Sequence, residues 1–66
     1  MAKFTCNLKR YRLLKDLTQE ELAGMVGVRR ETIVRLEQAQ YNPSLKLAID
    51  ISRIVEAPIE KIFVFD

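Results

Sequence analysis

The sequence predicts an all-α domain built from five short helices. Its 66 residues are enough for one domain only. Hydrophobic residues make up 48% of the chain and charged residues 30%, a balance that favours a folded core over a disordered tail. Two glycines and two prolines are too few for the many turns of a β-sandwich. We therefore expect residues 1–66 to form a single helical domain.

Segments with β character lie at the two ends of the helical part. Residues 4–6 and residues 64–65 are rich in aromatic and β-branched side chains, which predicts a short strand at each position. Together, the N- and C-terminal segments could form a small two-stranded antiparallel sheet. Cys6, in the first segment, has no second cysteine to resolve an oxidised thiol. We therefore favour a packing role for Cys6 over a redox role.

The first two helices have clear start signals. Asn7 is a suitable cap for a helix over residues 8–16. Thr18 and Glu21 have the spacing of a capping box, so the second helix should begin at Gln19. That helix should end at Gly27, because glycine readily adopts a left-handed turn.

The other three helices follow from apolar spacing and loop composition. A third helix is predicted from about Arg29 to Gln38, and Ser44 is a good cap for a fourth. Pro58 suits the first position of a short fifth helix through Phe63. The wide apolar face of the fourth helix predicts a central place in the core, with Leu45, Leu47, Ala48, Ile51, Ile54 and Val55 facing inward.

Composition argues against an enzyme. The chain has no histidine, no nucleophile beside a base and no glycine-rich phosphate loop. One cysteine without histidine supplies no metal-ligand set, and no cofactor or small-molecule ligand is evident. The chain shows neither a targeting segment nor a membrane span, so we expect a soluble, cytoplasmic protein with no membrane partner.

Positive charge is concentrated in the first half of the chain. Residues 1–35 hold eight Lys or Arg against four Asp or Glu, whereas residues 36–66 hold three against five. A basic half favours a polyanionic partner.

Residues 18–38 match a helix-turn-helix pattern. Ala23 permits a close helix crossing, Gly27 permits a tight turn, and apolar residues on both sides can fix the angle between the two helices. With the segments Leu17–Ala23, Thr32–Ile33, Leu36–Glu37 and Asn42–Leu45, the chain resembles the phage Cro and cI repressor type of helix-turn-helix family over about residues 8–63. The resemblance implies a lambda-repressor-like fold, closest to the short dimeric bacterial repressors that carry a small terminal sheet.

The same resemblance implies which side chains meet double-stranded DNA. The start of the second helix would contact phosphates, and the third helix would enter the major groove. The predicted base readers are the outward positions of that helix: Arg29, Arg30, Glu31, Val34, Arg35 and Gln38. Arg30, Glu31 and Arg35 are favoured, since arginine can bind guanine and glutamate can accept from cytosine. The predicted phosphate contacts are Thr18, Gln19, Gln40, Tyr41 and Asn42.

Two positions depart from the family pattern in ways that matter for structure. Many relatives have a serine cap where this chain has Arg29. Ala39 stands where glycine or asparagine often ends the third helix. Either the helix runs one residue longer, or Ala39 adopts a strained left-handed conformation.

Arg12 and Glu37 match a family pair that joins the first helix to the end of the third. Glu37 is expected on the inward side, where an unpaired carboxylate would be costly, so we predict a structural ion pair with Arg12. The alternative is that both side chains are exposed and independent.

The apolar residues near the C-terminus could complete the core or form a two-fold interface. We expect a mixture of both roles, with a homodimer axis near Pro58, Ile59, Ile62 and Phe63.

These observations predict a sequence-specific DNA-binding transcriptional regulator. The expected mode is a homodimeric repressor on a palindromic operator. The alternative is an antitoxin-like or adaptor module that binds mainly another protein, since a fold alone does not fix function.

Overall fold

The computed structural model describes residues 4–65 of the chain. These residues contain five helices and two strands, joined by short loops. In chain order they are β1 (Phe4–Cys6), α1 (Leu8–Leu14), α2 (Gln19–Val26), α3 (Arg30–Glu37), α4 (Leu45–Val55), α5 (Ile59–Ile62) and β2 (Phe63–Phe65). This architecture confirms the predicted helical fold and its small sheet.

The two strands form an antiparallel ribbon that joins the ends of the described chain. Phe4 pairs with Phe65, and Cys6 pairs with Phe63. The Phe4 ring lies 5.9 Å from the Phe63 ring in an edge-to-face arrangement and 5.1 Å from the Phe65 ring. Because aromatic pairs at these distances attract one another, the rings strengthen a very short ladder.

The core lies beneath the helices, with α4 packed against α1, α2 and α5. The largest fully buried side chains come from all five helices: Leu8, Leu22, Ile33, Leu36, Ile51 and Ile62. The prediction that Leu45 faces inward on α4 is wrong. Leu45, the first residue of that helix, is 74% exposed.

Helix ends differ from the predicted bounds at five places. α3 ends at Glu37 rather than at Gln38, and α5 ends at Ile62 rather than at Phe63, which belongs to β2.

The other three differences are the end of α1 and the starts of α3 and α5. α1 ends at Leu14 rather than at residue 16, because Asp16 has a φ of 57° and cannot continue a right-handed helix. Arg29 and Pro58 are N-caps with extended backbone, at ψ of 151° and 145°, rather than the first residues of α3 and α5.

The turn between α2 and α3 is tight. Gly27 has a φ of 74°, a left-handed conformation that glycine adopts without steric cost. The backbone N–H groups of Gly27 and Val28 both donate to the Ala23 carbonyl and close the end of α2. With Ala23 and Ile33 buried beside the turn, α3 is held firmly against α2.

Candidate nucleic-acid interface

One face of α3 is buried and the opposite face is open to solvent. Ile33 and Leu36 are fully buried, and this fixes the rotation of the helix about its axis. Glu31, Arg35 and Gln38 are exposed on the other side, with Val34 half-buried between them. Their i, i+3, i+4 and i+7 spacing gives one continuous stripe. Arg29 and Arg30 are exposed just before and at the start of the helix.

The N-terminus of α3 has no capping side chain. Arg29 occupies the N-cap position and makes no side-chain hydrogen bond to the helix. The first N–H groups of a helix lack intrahelical acceptors, and the dipole there favours an anion. Glu31 is the acidic residue of this first turn. The adjacent Arg29 and Arg30 add positive charge at the same end. Free N–H groups together with two arginines are well suited to bind a polyanion.

A buried ion pair holds the far end of α3. Arg12 Nε donates to Glu37 Oε2 at 2.7 Å, and Arg12 Nη2 donates to Glu37 Oε1 at 3.3 Å. Their side chains are only 7% and 6% exposed. Arg12 Nη1 also donates to the Leu17 carbonyl at 2.7 Å, which ties in the segment before α2. The structure therefore brings together the two residues of the predicted structural pair.

Gln19 completes this network. Its side-chain amide donates to Glu37 Oε1 at 3.0 Å, so residues from α1, α2 and α3 meet at one carboxylate. Sequence reasoning placed Gln19 on a phosphate and missed this contact. The available signal was the inward position of Glu37, a carboxylate with more acceptor sites than Arg12 alone can fill.

The start of α2 is capped from within. The Thr18 hydroxyl accepts from the Glu21 N–H at 3.0 Å, and the Thr18 N–H donates to the Glu21 carboxylate at 2.9 Å. The side chains of Thr18 and Gln19 thus have partners inside the domain, while the backbone N–H groups of Gln19 and Glu20 lack intrahelical acceptors. These two N–H groups are the better candidates for a phosphate at this end.

Arg30 lies close to the start of α2. It lines an open groove together with Arg12, Thr18, Gln19 and Glu20. The N-termini of α2 and α3 therefore border one shared surface.

The loop after α3 offers three exposed polar residues. Ala39 has a φ of 57°, so of the two alternatives the structure shows the strained left-handed alanine. The Gln40 N–H donates to the Arg35 carbonyl at 2.9 Å and closes the helix end. Gln40, Tyr41 and Asn42 follow with exposed side chains, and their phosphate contacts stay a prediction.

Lys46 is a further cation near this region that the sequence did not single out. It lies in the first turn of α4, 85% exposed, and its Nζ is 2.7 Å from Asp50 Oδ2. Both side chains border a cleft that reaches Gly27 and Val28 at the turn before α3.

The predicted dimer residues divide into two groups. Ile62 is fully buried and Phe63 is 3% exposed, so both pack in the core of the single chain, and their place near a dimer axis stays a prediction. Pro58 is exposed and Ile59 half-buried. Ile59 lines an apolar groove whose walls include Leu45 and Phe65.

Cys6 packs against the core, half-buried in β1. Burial raises the pKa of the Cys6 thiol above its usual value. A raised pKa disfavours the reactive thiolate at neutral pH, which agrees with a packing role.

Two further features bear on the class of protein. Within residues 4–65, no cluster of three or more His, Cys, Asp or Glu is arranged to hold a metal ion. Over the same residues, none of the helices has the length and apolar character needed to cross a membrane.

A braced two-helix corner with a basic, outward-facing second helix is the structure of a helix-turn-helix DNA-binding domain. The chain belongs to the helix-turn-helix family of the Cro/cI type, whose sequence model matches residues 8–62. Members of this family are DNA-binding transcriptional regulators, not enzymes.

Similar sequences are known from archaea and bacteria. An HTH-type transcriptional regulator of Archaeoglobus fulgidus is 61% identical over 59 residues, which is 89% of this chain and 83% of that protein. YgzD of Bacillus subtilis, also an HTH-type transcriptional regulator, is 36% identical over 85% of each chain. The names of these relatives agree with the class that the fold defines.

Solved structures share the same fold. The restriction-modification controller protein C.AhdI of Aeromonas hydrophila superposes with a TM-score of 0.75, at 28% identity over 85% of each chain. The N-terminal DNA-binding domain of SinR from Bacillus subtilis gives a TM-score of 0.74, at 25% identity over 83% of this chain and 81% of that one.

Proposed function

We propose that this protein is a sequence-specific transcriptional repressor that binds a palindromic operator as a homodimer, with α3 in the major groove. The observation that carries the proposal is the contrast between the two sides of α3. Its inner side is buried and braced by Arg12 and Glu37, while its outer side presents Arg30, Glu31 and Arg35 to solvent. A rigid helix with an exposed polar stripe can enter the major groove without rearrangement.

Base reading is assigned to the exposed stripe of α3. Arginine donates two hydrogen bonds to guanine O6 and N7, glutamate accepts from cytosine N4, and Val34 can cover a thymine methyl group. Arg29 and Gln38 lie at the two ends of the stripe, where they can reach flanking bases. The stripe therefore supplies donors, an acceptor and an apolar surface.

Phosphate binding is assigned to the surfaces on both sides of α3. At one side are the open backbone N–H groups of Gln19 and Glu20 at the start of α2, next to Thr18. At the other side is the loop of Gln40, Tyr41 and Asn42. Contacts of this kind fix the position of a protein on the duplex and make its affinity strongly dependent on salt.

Self-association is assigned to the apolar groove beside α5. Leu45 and Phe65 are 74% and 61% exposed, and both border this groove with Ile59. Exposed side chains of this size around a concave apolar surface favour a protein partner. A second copy, related by a two-fold axis, would present the two α3 helices about 34 Å apart, one helical turn of DNA.

Repression requires only that the dimer occupies its operator. A dimer seated on a promoter excludes polymerase from the same stretch of DNA, so the described domain needs no enzymatic activity to act.

The proposal is tested by selecting ligands from random duplexes with the purified protein, followed by a salt titration on the enriched site. We expect a palindrome to be enriched, with affinity that falls steeply as salt rises. Recovery of no preferred sequence would contradict the proposal and favour the alternative of a protein-interaction module.

A further inference from the structure

Two of the proposed base readers contact each other. Arg35 Nη2 lies 3.6 Å from Glu31 Oε1, one helical turn away on the open face of α3. Both side chains remain largely exposed, at 61% for Arg35 and 71% for Glu31. The exposed stripe thus presents a hydrogen-bond donor and an acceptor side by side.

Helix stability alone does not explain why this pair lies on the reading face. An exposed pair at i, i+4 stabilises a helix only slightly, and salt screens it. At the same time, the Glu31 carboxylate lowers the positive charge of the surface that is proposed to bind DNA. Repulsion between Glu31 and phosphates weakens binding to every sequence alike. A carboxylate in the uncapped first turn of α3 adds a little to helix stability, but it favours DNA binding only where a base offers it a donor.

We propose that Glu31 and Arg35 act as one unit that reads a single G·C base pair, an inference that rests on the proposed function. In the major groove, guanine presents the acceptors N7 and O6, and its cytosine partner presents the N4 donor. Guanine O6 and cytosine N4 are joined by a base-pairing hydrogen bond of about 2.9 Å. Neighbouring groups on the DNA thus match neighbouring groups on the protein.

This arrangement distinguishes the four base pairs. Reversing G·C to C·G places the cytosine amino group against Arg35 and the guanine acceptors against Glu31, so both contacts become repulsive. A T·A pair with thymine facing Arg35 keeps the adenine N6 donor for Glu31 but offers arginine the single acceptor O4, which removes its two-bond contact. The opposite A·T orientation places the adenine N6 donor beside Arg35 and thymine O4 against Glu31, so it is disfavoured at both side chains. Glu31 therefore excludes the reversed pair, and Arg35 excludes A·T.

The test uses three variants of the Glu31 and Arg35 pair: Glu31→Gln, Arg35→Gln and the double variant. Glu60→Gln is the control. Glu60 is exposed on α5, outside the helix-turn-helix, so its substitution removes the same charge without touching the stripe. Each protein is subjected to selection from random duplexes, and its affinity is then measured for the selected site with every base substituted in turn. Circular dichroism verifies that each variant is folded.

We expect both single variants to lose preference at the same G·C pair, by about tenfold each. The double variant should lose little more than the larger single loss, because the two side chains act together. Glu31→Gln should also bind random duplexes about threefold more tightly, the effect of one exposed charge. The control should keep the wild-type preference at every position.

Three results would overturn the inference. The two single variants could relax different base pairs, the losses could add fully in the double variant, or Glu31→Gln could lower thermal stability while leaving base preference intact. Each of these leaves the proposed function standing if the wild-type protein enriches a palindrome. Failure of the wild-type protein to enrich any sequence would overturn the proposed function itself.

Discussion

At the scale of single residues, the most consequential side chain is Arg12. Three of its nitrogens donate, two to Glu37 and one to the Leu17 carbonyl, in a place where its side chain is 7% exposed. Removal of either charged partner leaves the other buried without an opposite charge. The pair therefore fixes the position of α3 more than a surface salt bridge could.

Arg12→Ala should lower the free energy of unfolding by about 3 kcal/mol, the cost of leaving a buried carboxylate unpaired. Urea denaturation measures the change. Lys15→Ala is the control, because the Lys15 to Glu56 pair at 3.1 Å is exposed and should matter by less than about 1 kcal/mol. Equal stability of wild type and Arg12→Ala would contradict the bracing role.

Ala39→Gly should raise stability by about 1 kcal/mol, because Ala39 holds a left-handed φ of 57° that costs an L-residue energy and glycine nothing. Gly27→Ala makes the reciprocal change at a φ of 74°, where an added Cβ would meet no atom within 4 Å. It should therefore destabilise through backbone strain alone. Thermal melts of the two variants should shift in opposite directions.

At the scale of elements, local chemistry predicted some helices better than others. The capping box of Thr18 and Glu21 located the start of α2, and Gly27 located its end, because both signals act within one turn. The end of α1 was not predictable in this way. Asp16 adopts a left-handed conformation without being glycine, so no glycine marks the end of this helix.

The candidate site shows the same division. Helical periodicity was sufficient to place Arg35 and Glu31 on the outer face of α3, because Ile33 and Leu36 determine the inner one. The contact between Gln19 and Glu37 joins residues 18 positions apart, and no local pattern encodes it. Burial of Ile62 and Phe63 in the core likewise depends on how α5 packs against α4.

Gly24→Ala should stabilise α2 by about 1 kcal/mol, since alanine has the higher helix propensity. Gly24 lies inside this helix, is exposed, and leaves open space where a Cβ would be added. Chemical denaturation should show a higher midpoint with an unchanged slope. A lower midpoint would mean that Gly24 has a packing role that the structure does not show.

At the scale of the whole molecule, the proposed function depends on two copies acting together. The described chain exposes two leucines to nearly the same degree, Leu45 at 74% and Leu14 at 72%. Only Leu45 borders the apolar groove beside α5. This provides a matched comparison between a surface proposed for self-association and one that is not.

Leu45→Glu should convert a dimer into a monomer, because a charge would be buried at the interface without a partner. Leu14→Glu should leave the dimer intact. Sedimentation equilibrium at micromolar concentration distinguishes the two states. A wild-type species of 7.7 kDa would contradict the dimer, and a dimeric Leu45→Glu would place its interface elsewhere.

The antiparallel ribbon has a consequence for synthesis on the ribosome. Phe4 can complete its place in the core only when Phe63 and Phe65 are available to pair with it, almost the full length of the described chain later. The corner between α2 and α3, made from neighbours in sequence, can assemble much earlier. A nascent chain will therefore hold an unfinished apolar surface until Phe65 has emerged from the ribosome, and only then can the β1–β2 ribbon form.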